Sequence, residues 1–305
     1  MHRRLFSLGM ASSLATAALG AIAQTDPLPR TSAAEDALAR IEAASGGRLG
    51  VCMLDTGSGR SVGHRAAERF AMCSTFKFLA AAFVLRRVDD GLEDLARAVS
   101  IPAPGELVPY APVTAPNAGR TMTVAQLCEA AVTVSDNPAA NLLLASFGGP
   151  AGLTGFARSL GDGKTRLDRI EPLLNEATPG DERDTTTPAS MLAIMQKTMV
   201  GDALSPASRD QLNAWMVAAT TGARQLRAGL PAGWRIGDKT GSGGHGTGND
   251  IAVVWPRRPD GSETAPWLVT AYLTQTTMAV EQRQATLARV GALASRLIGT
   301  AGSIG

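Results

Sequence analysis

Segments with the composition of β-strands lie near both ends of this 305-residue chain. Two such runs, "RLGVCMLD" and "GRSVGHRA", lie at 48–55 and 59–66. Three more, "GWRIGDKTGSG", "NDIAVVWP" and "APWLVTAYLTQ", lie between 233 and 275. From about 70 to 220 the apolar residues recur mostly at helical spacing. We therefore predict one sheet built from both chain ends, with a helical insertion lying against it.

Two further helices are predicted outside that insertion. "AAEDALARIEAASGG" (33–47) and "VEQRQATLARVGALASRLIG" (280–299) have apolar residues at helical spacing, and the first ends on glycines. The predicted fold class is α/β of the α+β type, with helices flanking the sheet.

Composition and charge exclude several classes of function. The chain is 45% hydrophobic and 18% charged, its net charge is +2, and its basic residues are spread along the sequence. A nucleic-acid-binding protein normally clusters Lys and Arg, so no nucleic-acid partner is expected. Three cysteines without a C-x-x-C pair and three histidines indicate neither a metal site nor another cofactor.

The N-terminus has the pattern of a signal peptide. Basic "MHRRLFSLGM" precedes the short apolar "ASSLATAALGAIA", and Ala21-Ile22-Ala23 fits a cleavage site. We predict a signal peptide at 1–23 and export to the periplasm or the medium, and Arg3-Arg4 is compatible with a twin-arginine signal. No later segment is long and apolar enough to span a bilayer, and a monomer is expected.

Ser74 and Lys77 form a first candidate site in "STFK". On the first turn of a helix, residues three apart fall on one face. A serine hydroxyl becomes a nucleophile when a neighbouring base accepts its proton, and a lysine can be that base if burial lowers its pKa. The pattern alone is also common by chance.

Two other polar clusters accompany that pair. Ser135-Asp136-Asn137 precedes Pro138, where one of the three can simply cap a helix. Lys239-Thr240-Gly241 lies on a predicted strand, where the glycine lets a ligand approach the backbone. Its alternative interpretation is an edge strand with a solvated lysine.

The three clusters, in this order, are typical of class A β-lactamases and penicillin-binding proteins. The chain resembles a class A serine β-lactamase over nearly all of its mature sequence. Residues 169–188, "RIEPLLNEATPGDERDTTTP", are similar to that family's omega loop, with Glu171 and Asn175 on its E-x-x-L-N pattern. "LVPYAPVT", with Tyr110, is also similar to a family segment.

The resemblance implies the serine β-lactamase/DD-peptidase fold, with an antiparallel sheet. It also implies one catalytic domain, 24–305. The α/β part would span about 30–66 and 221–305, and the helical part about 67–220.

The resemblance further implies catalytic roles. Ser74 would open a β-lactam ring and form an acyl-enzyme, after giving its proton either to Lys77 or to Glu171 through a water. Ser135 would protonate the leaving nitrogen, and Glu171 with Asn175 would activate the water that hydrolyses the ester.

The remaining implied contacts bind substrate. The backbone N–H groups of Ser74 and Ser242 would form the oxyanion hole, Lys239 would attract the substrate carboxylate, and Asn137 would bind the acylamide. The arginine that many members carry on the strand after K-T-G is Gly248 here, so Arg224 or Arg283 could replace it, and Arg224 is chosen. The full predicted set is Asn137, Asn175, Tyr110, Lys239, Thr240, Gly241, Ser242 and Arg224.

The resemblance leaves two structural expectations. Asp184 would pair with Arg169 and fix the omega loop. Family disulfides are not expected, because Gly243 and Ala81 stand where Cys73 and Cys128 would need partners.

The expected substrates are penicillins and cephalosporins, and the expected consequence is antibiotic resistance. The absent Cys73 bridge and the glycines after Ser242, interpreted as a roomy pocket edge, argue for cephalosporins over carbapenems. One alternative is a D-alanyl-D-alanine peptidase, which lacks the omega-loop glutamate, so Glu171 and Asn175 argue against it. The other is a β-lactam sensor, which is usually attached to a membrane helix, and no such helix is expected here.

Overall fold

The computed structural model describes residues 29–301. Its strands are β1 (Arg48–Asp55), β2 (Ser61–His64), β3 (Phe70–Ala71), β4 (Ala98–Ser100), β5 (Thr121–Thr123), β6 (Thr185–Thr186), β7 (Arg235–Ser242), β8 (Gly248–Trp255) and β9 (Trp267–Thr274). Its α-helices are α1 (Pro29–Ser45), α2 (Phe76–Asp89), α3 (Val124–Thr133), α4 (Asn137–Ser146), α5 (Gly149–Ser159), α6 (Pro188–Met195), α7 (Pro206–Val217) and α8 (Val280–Ala301).

The two ends of the described chain form one five-stranded sheet. The strand order is β2-β1-β9-β8-β7, and every neighbouring pair is antiparallel. β1 joins the two halves because it pairs with β9 along its whole length, with Val51 opposite Ala271. The predicted α+β fold and the antiparallel sheet are therefore confirmed.

The sheet lies between two hydrophobic cores. Alternate residues of a strand point to opposite faces, so β8 and β9 can supply both cores at once. Ile251, Val253 and Tyr272 enter the core shared with the helical insertion. Val254 and Val269 enter the other core, which α1 and α8 cover. Every residue of β8 and β9 is buried as a result.

α2 runs through the middle of the helical insertion. Each residue from 76 to 82 is buried, as expected for a helix that is apolar on nearly all sides. Lys77 differs from these apolar neighbours because it ends in an amine, yet its side chain has no solvent-exposed surface. A short 3-10 helix, Cys73–Thr75, leads into α2 and puts Ser74 at its N-terminal end.

Three further findings concern membrane spans, metal sites and cysteines. Within residues 29–301 no helix is long and apolar enough to cross a membrane. In the same range, no group of three or more His, Cys, Asp or Glu is placed to hold a metal ion. Cys52, Cys73 and Cys128 are free thiols. The predicted signal peptide at 1–23 lies outside the described residues.

Candidate active site

The backbone around Ser74 is held from two sides. Asn249, on β8, donates from Nδ2 to the carbonyl oxygens of Ala71 (2.9 Å) and Met72 (3.1 Å). On β7, a Cβ added to Gly241 would lie 2.8 Å from the oxygen of Met72 and 3.2 Å from the nitrogen of Ser74. Only glycine therefore allows this strand to lie so close to the serine.

Lys77 is surrounded by acceptors in an otherwise apolar helix. Its Nζ lies 2.9 Å from Oε1 of Glu171, 2.6 Å from Oδ1 of Asn137 and 2.8 Å from the carbonyl oxygen of Ser135. Burial lowers the pKa of Lys77, and the nearby Glu171 charge opposes that effect. These partners explain how a lysine is accommodated in α2.

Glu171 connects the serine, the lysine and the omega loop. Ser74 donates from Oγ to Oε1 of Glu171 at 3.2 Å, and Asn175 donates from Nδ2 to Oε2 at 2.5 Å. Within residues 29–301, the Ser74 hydroxyl donates its hydrogen bond to Glu171 and not to Lys77. The carboxylate thus lies within direct reach of the hydroxyl proton.

Ser135 lies between two lysines. It follows α3 in the left-handed region at φ 64°, a conformation that non-glycine residues rarely adopt. Its Oγ accepts hydrogen bonds from Lys77 (3.2 Å) and Lys239 (3.0 Å). Because both ammonium groups only donate, the serine O–H is left to donate to another group.

Asp136 and Asn137, the other two residues of the Ser135 cluster, have different roles. Asp136 is the N-cap of α4, accepting from the backbone N–H of Ala139, so the helix-capping prediction is confirmed for this member. Asn137 accepts from Lys77 and donates one amide hydrogen to the carbonyl of Pro109 at 2.9 Å. Its second amide hydrogen remains available to a ligand.

Tyr110, which was predicted to wall the entrance of the site, is 58% exposed.

Lys239 is fully buried on β7, although β7 is an edge strand. Its Nζ donates to the Thr240 carbonyl at 2.8 Å in addition to Ser135. Burial, followed by the positive charge of Lys77, lowers its pKa to about 7. The alternative interpretation of a solvated lysine is wrong, because the helical insertion covers this strand end and Ser135 accepts from the ammonium group.

The glycines after Ser242 pack closely against the omega loop. A Cβ on Gly243 would lie 2.6 Å from the oxygen of Asn175 and 2.7 Å from Sγ of Cys73. Gly244 donates its N–H to that same Asn175 oxygen at 2.9 Å. The interpretation of these glycines as a roomy pocket edge is therefore wrong: they serve close backbone contact.

The omega loop is fixed at two points. Arg169 donates from Nε to Asp184 at 2.6 Å, and Asp184 has no exposed surface, so the predicted ion pair is present. Asn141 holds Glu171 by its backbone, accepting from its N–H at 2.9 Å and donating to its carbonyl at 3.0 Å. Asn141 was not among the residues predicted for the site, although it lies one helical turn after Asn137 on α4.

Two of the predicted residues lie apart from this hydrogen-bond network. Arg224 is exposed, and Ser242 is exposed at the end of β7. Neither side chain has a recorded hydrogen bond or ion pair within residues 29–301. The aliphatic part of Arg283 lies beside Gly248, since a Cβ on that glycine would be 3.7 Å from Cβ of Arg283.

Comparisons with known proteins agree with this geometry. Residues 33–298 match the model of the β-lactamase enzyme family. β-Lactamase L2 of Stenotrophomonas maltophilia is 47% identical over 294 residues, which is 95% of each chain. β-Lactamase AST-1 of Nocardia asteroides is 53% identical over 232 residues, covering 76% of this chain and 74% of that protein.

A solved structure supports the same assignment. The class A β-lactamase of the last common ancestor of Gram-negative bacteria (GNCA4) is 56% identical. It covers 87% of this chain and 99% of its own, with a TM-score of 0.83. The chain belongs to the β-lactamase enzyme family, and it is a class A serine β-lactamase, a hydrolase of the β-lactam ring.

Proposed function

We propose that Ser74 attacks the β-lactam carbonyl, forms an acyl-enzyme, and is released by a water that Glu171 activates. The observation that supports this most directly is the position of the Glu171 carboxylate. One of its oxygens lies 3.2 Å from Oγ of Ser74, and the other accepts from Asn175. The same carboxylate is therefore within reach of both the nucleophile and a deacylating water.

Acylation needs a base and an oxyanion hole. Glu171, which already accepts the Ser74 hydrogen bond, takes the serine proton, and Lys77 is the alternative base beside it. The backbone N–H groups of Ser74 and Ser242 stabilise the developing oxyanion. In comparable enzymes one such donor contributes about 2.7–4 kcal/mol.

Ser135 protonates the leaving nitrogen. Its Oγ accepts from Lys77 and Lys239, which orients its own proton away from both lysines. When Ser135 gives up that proton, Lys77 resupplies it, and the proton that Glu171 took from Ser74 passes to Lys77 across their 2.9 Å contact, so that Glu171 is again a carboxylate before deacylation. Bond cleavage in the ring is thus coupled to protonation of the nitrogen.

Deacylation uses Glu171 and Asn175 as a pair. Oδ1 of Asn175 is buried and has no hydrogen-bond partner among the described residues. It is therefore an acceptor for a water that also donates to the Glu171 carboxylate. General-base catalysis of this kind contributes ~10²–10⁴-fold to a rate.

The remaining residues bind substrate. Lys239 attracts the substrate carboxylate, helped by Thr240, and Arg224 supplies a guanidinium at the entrance. Asn137 binds the acylamide with its second amide hydrogen, and Tyr110 walls the rim. We propose penicillins and cephalosporins as substrates, and resistance to these antibiotics as the consequence.

The protein is proposed to act outside the cytoplasm as a monomer without a cofactor. The leader-like sequence at 1–23 supports export to the periplasm or the medium, and a twin-arginine route accounts for Arg3-Arg4. One catalytic domain then spans 24–305, with its helical part at about 67–220 inserted into the α/β part.

Turnover of nitrocefin and of a penicillin by the purified mature protein tests this function. Sustained hydrolysis at many times the enzyme concentration is expected, and the Ser74→Ala variant should hydrolyse neither compound. A single stoichiometric burst followed by a stable adduct would instead assign the protein as a peptidase or a sensor.

A further inference from the structure

Two buried aspartates lie on the strand that carries Lys239 and on its neighbour, and the catalytic scheme uses neither. Asp238 is on β7 and Asp250 is on β8, and both have no exposed surface. Thr240 is the direct cross-strand partner of Asp250. Asp238 precedes Thr240 by two residues, so its side chain is on the same face as Asp250 and diagonal to it, close enough for its charge to act on Asp250.

Each aspartate uses one oxygen and leaves the other without a partner. Arg227 donates from Nε and Nη2 to Oδ1 of Asp238. Leu226 donates its N–H to Oδ2 of Asp250 at 3.0 Å. Oδ2 of Asp238 and Oδ1 of Asp250 are buried with no hydrogen-bond partner among the described residues.

Water has no access to the free oxygen of Asp238 from the side of Gly222. A Cβ built on Gly222 would lie 1.7 Å from Oδ2 of Asp238, so the loop backbone covers this oxygen directly. A buried acceptor left without a partner costs about 1–3 kcal/mol. Two neighbouring buried carboxylates also cannot both ionise without strong repulsion.

We propose that Asp250 retains its proton at neutral pH and donates it from Oδ1 to Oδ2 of Asp238. One proton then satisfies both free oxygens and leaves the pair with a single negative charge, which Arg227 balances. Burial, together with the Asp238 charge, raises the pKa of Asp250 well above its ordinary value. Opposing charges come from Arg227 and Lys239, whereas Tyr272, the titratable residue of β9, points to the opposite face of the sheet.

The shared proton makes the two aspartates positioning residues for Lys239. Asp238 is adjacent to that lysine in sequence, and its charge favours the ammonium form. Because Asp250 is neutral, the pair contributes one negative charge rather than two. A smaller part of the positive charge of Lys239 is therefore compensated. This consequence rests on the role proposed above for Lys239, whereas the proton itself does not.

Carbon-13 NMR of the full mature protein tests the proton directly. With aspartate labelled at its side-chain carboxyl, one resonance at pH 7 should be displaced from the carboxylate position toward that of a protonated acid. This displaced resonance should be absent from the spectrum of Asp250→Asn. If every aspartate resonance of the wild-type protein is at the carboxylate position at pH 7, the proposal is wrong. The wild-type spectrum alone decides this, even if the variant does not fold.

A pair of variants tests the consequence for Lys239. Asp250→Asn replaces a neutral acid by a neutral amide that can also donate to Asp238, so the alkaline limb of the kcat/KM profile should stay in place. Asp238→Asn/Asp250→Asn removes the negative charge and should move that limb down by about 1–3 pH units, the usual effect of an opposite charge.

The two readouts separate the possible failures. If both variants displace the alkaline limb of the kcat/KM profile equally, the pair does not have the proposed positioning role. An activity without any alkaline limb would overturn the proposed role of Lys239, while the NMR spectrum would still report on the shared proton.

Discussion

Lys77 Nζ lies 2.9 Å from Oε1 of Glu171, and neither side chain is exposed to solvent. The contact joins the two groups that could accept the Ser74 proton. Opposite charges on the two groups compensate each other, which lowers the cost of burying them beside the serine. The geometry of the pair also makes the choice of base a matter of moving one proton over a short distance.

Removing the lysine should therefore leave a buried, unpaired carboxylate. We expect Lys77→Met to lower the free energy of unfolding at pH 7 by about 3–5 kcal/mol, as breaking a buried ion pair does. Lys77→Met/Glu171→Gln should recover most of that loss, because neither side chain is then charged. Urea denaturation measures both. Equal destabilisation of the single and double variants would show that the ion pair is not the cause.

Close packing of β7 against Ser74 predicts a large effect of one methyl group. Gly241→Ala puts a Cβ 2.8 Å from the Met72 oxygen and 3.2 Å from the Ser74 nitrogen, so the serine or the strand must move. A displacement of this kind can lower kcat/KM by about 10²-fold. Nitrocefin kinetics measure the effect.

The matched control for that variant is Gly155→Ala in α5. A Cβ at this helical glycine meets no heavy atom within 4 Å. It should leave kcat/KM unchanged and raise stability by roughly 0.5–1 kcal/mol, because alanine is the better helix former. Wild-type kinetics in both variants would contradict the close approach of β7.

The lowered pKa of Lys239 predicts a pH dependence of activity. Burial and the Lys77 charge lower that pKa to about 7, so the ammonium form is lost progressively above it. The kcat/KM for substrates with a carboxylate should fall with this loss. Lys239→Arg should move the fall to higher pH, because a guanidinium stays charged. A β-lactam methyl ester should show a weaker dependence. A flat wild-type profile for the carboxylate substrate across this range would argue against the role.

Glu42 should stabilise the fold in a pH-dependent way. Burial alone would raise its pKa, but hydrogen bonds from Arg65, Leu49 and His64 outweigh it and lower the pKa to about 2. The group is therefore more acidic folded than unfolded. Its contribution is complete above its unfolded pKa of about 4.3 and is lost as the pH falls through about 2.

Thermal denaturation across this range tests the Glu42 contribution. Glu42→Gln should be less stable than the wild-type protein at pH 7, and the two melting temperatures should converge near pH 2. Glu35→Gln, at an exposed position on the same helix, is the control and should follow the wild-type protein. A constant difference at every pH would mean that the charge is not responsible.

Local sequence patterns were sufficient to predict the main sheet and the flanking helices. Apolar spacing predicted α1 and α8, and runs with the composition of strands near both ends predicted one sheet, because each pattern reflects neighbours along the chain. The Ser74–Lys77 spacing placed both residues at the start of the same helical segment, whereas the hydroxyl hydrogen bond goes to the distant Glu171.

Contacts between distant segments could not be predicted in this way. Asn141 holds the backbone of Glu171 across 30 positions, and Asn249 holds that of Met72 across 177. The glycines at 243 and 244 resembled a pocket rim because the sequence does not show which loop packs against them. Whether Lys239 is solvated depends on the same long-range packing, since the edge position of β7 alone would leave it exposed.

Intact-mass spectrometry of Glu171→Ala mixed with benzylpenicillin tests most directly whether a glutamate-activated water releases the serine. The variant should gain the mass of one penicillin and keep it for far longer than the wild-type turnover time, while Ser74→Ala gains none. Rapid loss of the adduct at the wild-type rate, or an adduct that persists in Ser74→Ala, would contradict the mechanism.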